Sequence, residues 1–190
     1  MPEKHLALMV AKQAKKYGAR TALRYRENDV WRDISWQEAN AQIRDAAKGL
    51  LELGIPEGGM VGIFSQNRPE WTLADLAILS IRGVSVPVYA TNTAKQTEYI
   101  INEAEISVLF VGGGDQYAKA VSLIGTSPYL KKIVVFDKTI PLTGNDQAIY
   151  WHDLLALGRK SNREQELAAR LKRADMNDLA TLIYTSGTTG

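Results

Sequence analysis

The residues with the clearest chemical potential stand together at the carboxyl end of the chain, Tyr184-Thr185-Ser186-Gly187-Thr188-Thr189-Gly190. Glycine lets a backbone approach a ligand closely, and serine and threonine hydroxyls add donors alongside the main-chain N–H groups. The run before them, Leu179-Ala180-Thr181-Leu182-Ile183, is apolar and predicts a buried strand. A buried strand that opens into a glycine- and hydroxyl-rich loop is a common way to present several N–H groups to a phosphate. The loop is not that of the P-loop NTPases, because Gly-x-x-x-x-Gly-Lys followed by Ser or Thr occurs nowhere in the chain. By residue type alone, a plain flexible turn after a strand is an equal alternative.

Other candidates are weaker. Ser65-Gln66-Asn67-Arg68-Pro69-Glu70-Trp71 joins an apolar run to a helical pattern, a place where ligands commonly sit in open α/β sheets. Capping by Asn67 and anchoring by Trp71 account for that stretch without a ligand, and this is the preferred reading. Gly112-Gly113-Gly114 lacks the spacing of a dinucleotide loop, since position 117 is tyrosine, and is expected to be a flexible turn. His5 and His152 have no partners at metal-ligand spacing and are expected at the surface or in caps. Trp31, Trp36 and Trp151 are expected as core or interface anchors. No catalytic residue can be assigned, and no Ser-His-Asp arrangement is discernible.

Composition narrows the classes further. The net charge of +2 over 190 residues gives no electrostatic case for nucleic-acid binding. The chain has no cysteine, which excludes disulfides and thiolate chemistry and fits a reducing, cytoplasmic setting. No apolar run has the length of a membrane span or the form of a signal peptide.

The elements that must position the terminal loop follow from periodicity and end signals. Leu6, Met9, Val10 and Ala14 mark a first helix that Tyr17-Gly18 closes. Residues 21–26 and 29–34 form a hairpin. Ser35 and Glu38 form a capping box for a helix with Ala39, Ile43, Ala46, Ala47, Leu50 and Leu51 on one stripe, and Gly54 ends it. Short apolar strands at 60–64, 84–89, 107–111 and 132–136 then alternate with helices. The first of these helices starts at Pro69 and is closed by Gly83. The next begins with a Thr93–Gln96 capping box, and the third runs from the glycine triplet to about residue 124. Residues 137–148 read as a surface loop, 151–157 and 163–173 as helices, and 178–184 as the strand that delivers the terminal loop. This alternation predicts an α/β fold, a mainly parallel sheet with helices on both faces.

The string Leu182-Ile183-Tyr184-Thr185-Ser186-Gly187-Thr188-Thr189-Gly190 resembles the phosphate-loop signature of the adenylate-forming enzymes, cut short before the family's Pro-Lys-Gly step. Ser65-x-Asn67-x-Pro69-Glu70-Trp71 with residues 74–79, and Val86-Pro87-Val88-Tyr89-Ala90-Thr91, resemble the long-chain fatty acyl-CoA synthetases within that superfamily. The resemblance implies that residues 1–190 are part of the large N-terminal adenylation domain, truncated inside the phosphate loop, with the mobile C-terminal domain absent. It implies that Thr185, Ser186, Gly187, Thr188, Thr189 and Gly190 bind the phosphates of ATP and that Thr185 lies near magnesium. The reaction implied is activation of a fatty acid by ATP to acyl-AMP and pyrophosphate, followed by transfer to coenzyme A; the fragment alone is expected to be inactive. The partners are therefore fatty acid, ATP and coenzyme A; peripheral membrane contact and homo-oligomerisation stay open. An adenylating ligase for an aryl or amino acid, a non-catalytic nucleotide-binding module and a structural or interaction domain with a disordered glycine-rich tail are the alternatives.

Overall fold

The computed structural model describes residues 5–142 and 144–185. Helix α1 (Leu6–Tyr17) is followed by the antiparallel hairpin β1 (Thr21–Glu27) and β2 (Val30–Ser35), turned by Asn28 and Asp29 at positive φ. Helix α2 (Trp36–Glu52) starts at the expected capping box, with the Ser35 hydroxyl accepting the Glu38 N–H and the Glu38 carboxylate accepting the Ser35 N–H. The chain then alternates through β3 (Met60–Phe64), α3 (Pro69–Ser80), β4 (Val84–Val88), α4 (Ala94–Glu103), β5 (Val108–Val111), α5 (Gly114–Leu123), β6 (Lys132–Val135) and β7 (Ala148–Tyr150). Helices α6 (Trp151–Lys160) and α7 (Glu164–Arg173) complete the described elements.

Strands β3 to β7 form one sheet in the order β4-β3-β5-β6-β7, and every neighbouring pair is parallel. A parallel sheet must be covered on both faces, and two hydrophobic cores do this. Val61, Ile63, Val108, Phe110 and Val134 point to a core shared with α1, α2, α3, α6 and α7. Phe64, Val86, Val88, Leu109, Val111, Ile133 and Val135 point to a second core with α4 and α5. The predicted α/β architecture is therefore the observed one. All six residues of the α2 stripe are buried in the first core.

Helices α2 and α6 cross in close contact. A Cβ on Gly158 would fall on the carbonyl of Asp45, 2.7 Å from its carbon, and one on Gly49 would lie 2.6 Å from the Leu154 carbonyl oxygen. Glycine at both positions lets the two backbones touch.

Several details differ from the sequence expectation. Helix α3 ends at Ser80, and Arg82 (φ 57), not Gly83, takes the left-handed position after it. Gly83 donates to the Ile78 carbonyl at 2.9 Å and Arg82 to Leu79 at 3.1 Å, so the helix closes as a Schellman motif with arginine in the glycine position. Strand β7 lies where a surface loop gives way to a helix; three residues are too few to show periodicity, and pairing with β6 makes them a strand. Helix α6 runs on to Lys160. Residues 178–184 do not form a regular strand. They meet the sheet through a single parallel bridge, Thr181 to Ser85, and Leu179, Thr181 and Ile183 are exposed. They lie outside β4 with one neighbour only, and the Ala180 carbonyl and Leu182 N–H pair with Ser85. Trp31 is 64% exposed and belongs to neither core, whereas Trp151 packs against Phe110 and Phe136.

Candidate functional site

Because β3, β4 and the 180–182 segment run parallel, their carboxyl ends emerge on one edge of the sheet. A cleft of about 470 Å³ opens there, lined by residues 65–67, Trp71, residues 87–91, Ile183 and Tyr184. Three stretches far apart in sequence thus share one wall system: the loop after β3, the loop after β4 and the residues that lead to Thr185. Trp71, Pro87, Tyr89, Ile183 and Tyr184 make most of it apolar, while Ser65, Gln66, Asn67 and Thr91 bring polar groups to one side. That combination suits an organic ligand with a polar head.

The walls are held from behind. Arg68 donates to both carboxylate oxygens of Glu70 at 2.8 and 3.1 Å and to the Gly112 carbonyl at 2.7 Å, and its guanidinium lies 5.5 Å from the Phe136 ring centre. This fastens the loop after β3 to the end of β5. Glycine at 112 avoids a clash, because a Cβ there would lie 2.8 Å from the Ser65 Cβ and 2.9 Å from the Gln66 Oε1. Gln116, buried in the first turn of α5, donates from Nε2 to the Ala90 carbonyl at 2.8 Å and so fixes the loop after β4. Tyr184 packs edge-on against Tyr99 at 6.3 Å, and burial pushes its phenol up from the ordinary value. Burial also pushes the Asp75 carboxyl up.

The sequence candidates fall out as follows. Thr185 is exposed and follows directly from the cleft wall at Tyr184. Ser186, Gly187, Thr188, Thr189 and Gly190 lie outside the described residues. Asn67 does not cap α3: the cap residue is Arg68, without a side-chain cap, and Asn67 stands exposed on the cleft instead. Proline at the first helical position leaves one fewer N–H to satisfy, and the Trp71 N–H donates to the Arg68 carbonyl at 3.1 Å. Trp71 does anchor α3 to the core while one side faces the cleft. Of the glycine triplet, Gly112 is a close-packing position and Gly114 already belongs to α5. His5 caps α1 through Nδ1, and His152 stands exposed beside Asp153. The convergence of the two strand-end loops was not extracted from the sequence, although the rule that ligands gather at the carboxyl ends of parallel strands carried the signal.

No group of three or more His, Cys, Asp or Glu among the described residues could hold a metal ion. A magnesium ion keeps waters and takes carboxylate and phosphate oxygens, so the Thr185 hydroxyl does not by itself make its site. No helix among the described residues is long and apolar enough to cross a membrane.

The profile of the AMP-binding enzyme family matches residues 10–190. The chain belongs to that family. Long-chain-fatty-acid–CoA ligase FadD15 of Mycobacterium tuberculosis is 39% identical over 161 residues, which are 85% of this chain and 26% of that protein. Long-chain-fatty-acid–CoA ligase ACSBG2 of Homo sapiens is 32% identical over 176 residues, 92% of this chain and 26% of the relative. The chain thus spans about a quarter of the length of these curated relatives. Among solved structures, an anthranilate CoA ligase, AuaEII, in complex with anthranoyl-AMP aligns with a TM-score of 0.79 at 20% identity, over 97% of this chain and 32% of that one. At that identity the match speaks to the fold, which is the one an adenylate-forming ligase uses.

Proposed function

We propose that these residues are the front part of a longer ATP-dependent ligase that joins a long-chain fatty acid to coenzyme A. The observation that carries the reading is the cleft at the carboxyl edge of the sheet, whose wall runs through Tyr184 straight into the hydroxyl- and glycine-rich run from Thr185. The similarity to long-chain-fatty-acid–CoA ligases over most of the chain supports the acyl class.

In this reading a fatty carboxylate attacks the α-phosphorus of ATP, giving acyl-AMP and pyrophosphate, and the coenzyme A thiol then displaces AMP to form the thioester. The difficulty is an anion approaching a polyanion, and donors that hold and neutralise the phosphates lower that barrier. Thr185, Ser186, Gly187, Thr188, Thr189 and Gly190 supply such donors. Magnesium would accompany the nucleotide, with Thr185 near it and the carboxylate and phosphate oxygens coming from outside the described residues. The cysteine-free composition supports a reducing, cytoplasmic setting.

The test is ATP–pyrophosphate exchange by the full-length protein with fatty, aryl and amino acids. Exchange that depends on a long-chain fatty acid is expected; exchange with an aryl or amino acid only would replace the substrate class, and no exchange with any acid would remove the ligase reading. The 190 residues alone are expected to make no acyl-CoA.

A further inference from the structure

The segment that carries Thr185 is weakly held by the sheet. Among the described residues its backbone pairs with the sheet at Ser85, whose N–H donates to the Ala180 carbonyl and whose carbonyl accepts the Leu182 N–H, both at 3.0 Å. Leu182 and Tyr184 pack on the second core, but Leu179, Ala180, Thr181 and Ile183 are exposed. Before this segment stands Asp178, and opposite it is Arg82, at the corner where α3 turns into β4.

The Arg82–Asp178 pair is a two-pronged one. Nε donates to Oδ2 at 2.8 Å and Nη2 to Oδ1 at 2.7 Å, with only 22% and 18% of the two side chains exposed. The third prong, Nη1, reaches Glu57, which also receives Arg173. Asp178 in turn accepts the Asp175 N–H at 3.1 Å, which shapes the bend after α7. On the Arg82 side the backbone is equally fixed, because its carbonyl accepts the Gly58 N–H at 2.8 Å and its φ of 57 is the one a Schellman ending demands. Glycine is the default residue there, and an arginine in that conformation carries strain that its contacts must offset. Helix α7 also has an anchor of its own besides this network. Its buried Arg170 donates to the Ile55 and Ile81 carbonyls at 3.0 Å each and to Glu166 at 2.7 Å.

We propose that Arg82 is a positioning residue for nucleotide binding: by clamping Asp178 it sets the register at which residues 180–182 meet Ser85, and hence the place and angle from which Thr185 leaves the sheet. The proposal rests on the reading of the residues after Tyr184 as a phosphate loop. Arg82 touches no reacting group. Its effect passes from Asp178 to Thr185 along the weakly paired backbone of residues 179–184, which is why a bidentate, planar donor matters and a flexible ammonium does not replace it.

The experiment compares R82G, R82K and D178N in the full-length protein. R82G removes the guanidinium while suiting the left-handed backbone better than arginine does, and Arg170 keeps α7 docked, so folding is retained. The expected result is a rise in KM for ATP of roughly tenfold in R82G and D178N, as for the loss of a charged hydrogen-bonded pair. The KM for fatty acid stays unchanged, and R82K recovers only part of the loss. Amide hydrogen exchange adds a readout that needs no activity: the Ser85 and Leu182 N–H groups exchange faster in R82G, while α7 amides do not. Should R82G fail to fold, R82K and D178N decide through the same two measurements. Unchanged Ser85 and Leu182 exchange, or an unchanged KM for ATP in an active variant, overturns the proposal. If the unsubstituted protein shows no pyrophosphate exchange with any acid, the ligase reading falls and the nucleotide role of Arg82 falls with it, whereas an active parent with indifferent variants leaves the ligase reading standing and removes the clamp.

Discussion

Replacing Gly112, Gly113 and Gly114 by alanine one at a time should give three different signs. In the chain they are one glycine run, and only their surroundings separate them. None lies at positive φ, so alanine meets no backbone penalty at any of them. At each, alanine reduces the freedom of the unfolded chain, a gain of about 0.4–1 kcal/mol where the folded state accepts the methyl group. At Gly114 nothing lies within 4 Å of the new methyl, and the residue is the first of α5, so the gain stands. At Gly113 the methyl would lie 3.2 Å from Gln116 Oε1, and glycine is a better cap than alanine there; the two effects offset the gain and leave a change near zero.

At Gly112 the methyl would lie 2.8 Å from the Ser65 Cβ and 2.9 Å from the Gln66 Oε1. The Ser65 hydroxyl can rotate away, but its Cβ is fixed to β3 and cannot. The strand ends must part by several tenths of an ångström, at an overpacking cost of about 1–3 kcal/mol. The net loss is then about 1–2 kcal/mol, which in a domain of this size lowers the melting temperature by roughly 3–6 °C. Thermal unfolding of the three variants, followed by circular dichroism, ranks G114A above the parent, G113A level with it and G112A below. Equal shifts for all three would refute the reasoning, since they would mean that the triplet is the featureless turn its composition suggests.

Two further outcomes follow from the packing and the charges. Gly158→Ala at the α2–α6 crossing should lose about 2 kcal/mol or more in urea denaturation despite alanine's helix preference, because its methyl meets the Asp45 backbone rather than a movable side chain. The Arg82 guanidinium holds the Asp178 carboxyl at about 2, below its ordinary 3.8. A group depressed in the folded state stabilises above its unfolded value and loses that contribution as pH falls through the folded one. The gap in melting temperature between the parent and D178N should therefore be full above about pH 4 and close as the pH approaches 2; a gap independent of pH over that window would contradict the pairing.

Features fixed by neighbouring residues were legible in the sequence. The Ser35–Glu38 and Thr93–Gln96 boxes, the Gly18 and Gly54 endings and the extent of β3 all depend on groups a few positions apart. What escaped depends on distance. The choice of Arg82 over Gly83 as the left-handed residue goes with a partner 96 positions away, and local preference alone points to the glycine. Strand β7 exists only because β6 offers it a ladder. The apolar run at 179–183 has strand composition, yet with the sheet on one side only it pairs through a single bridge. The cleft was legible in pieces and not as a whole: the motif residues at 65–71 and 86–91 were visible, but composition gives no reason for them to share a wall with Tyr184.

Sheet topology supplies that reason. The chain leaves β3 to one side to make β4, then crosses back over β3 to make β5, so the loops after β3 and β4 open from adjacent strands toward the same edge. The 180–182 segment joins in parallel beyond β4 and brings its own exit to that edge. Side chains that sit there escape the requirement to fill a core. Asn67, Tyr89 and Thr91 are exposed where Val61, Ile63 and Val86 a few residues earlier are sealed. At the edge, the residues that do remain buried or paired act on backbone groups: Arg68 on the Gly112 carbonyl and Gln116 on the Ala90 carbonyl. Each ties a mobile type of structure, a loop, to a rigid one. Substituting the exposed residues should therefore alter what the cleft binds, whereas substituting Arg68 or Gln116 should alter how firmly the cleft keeps its shape.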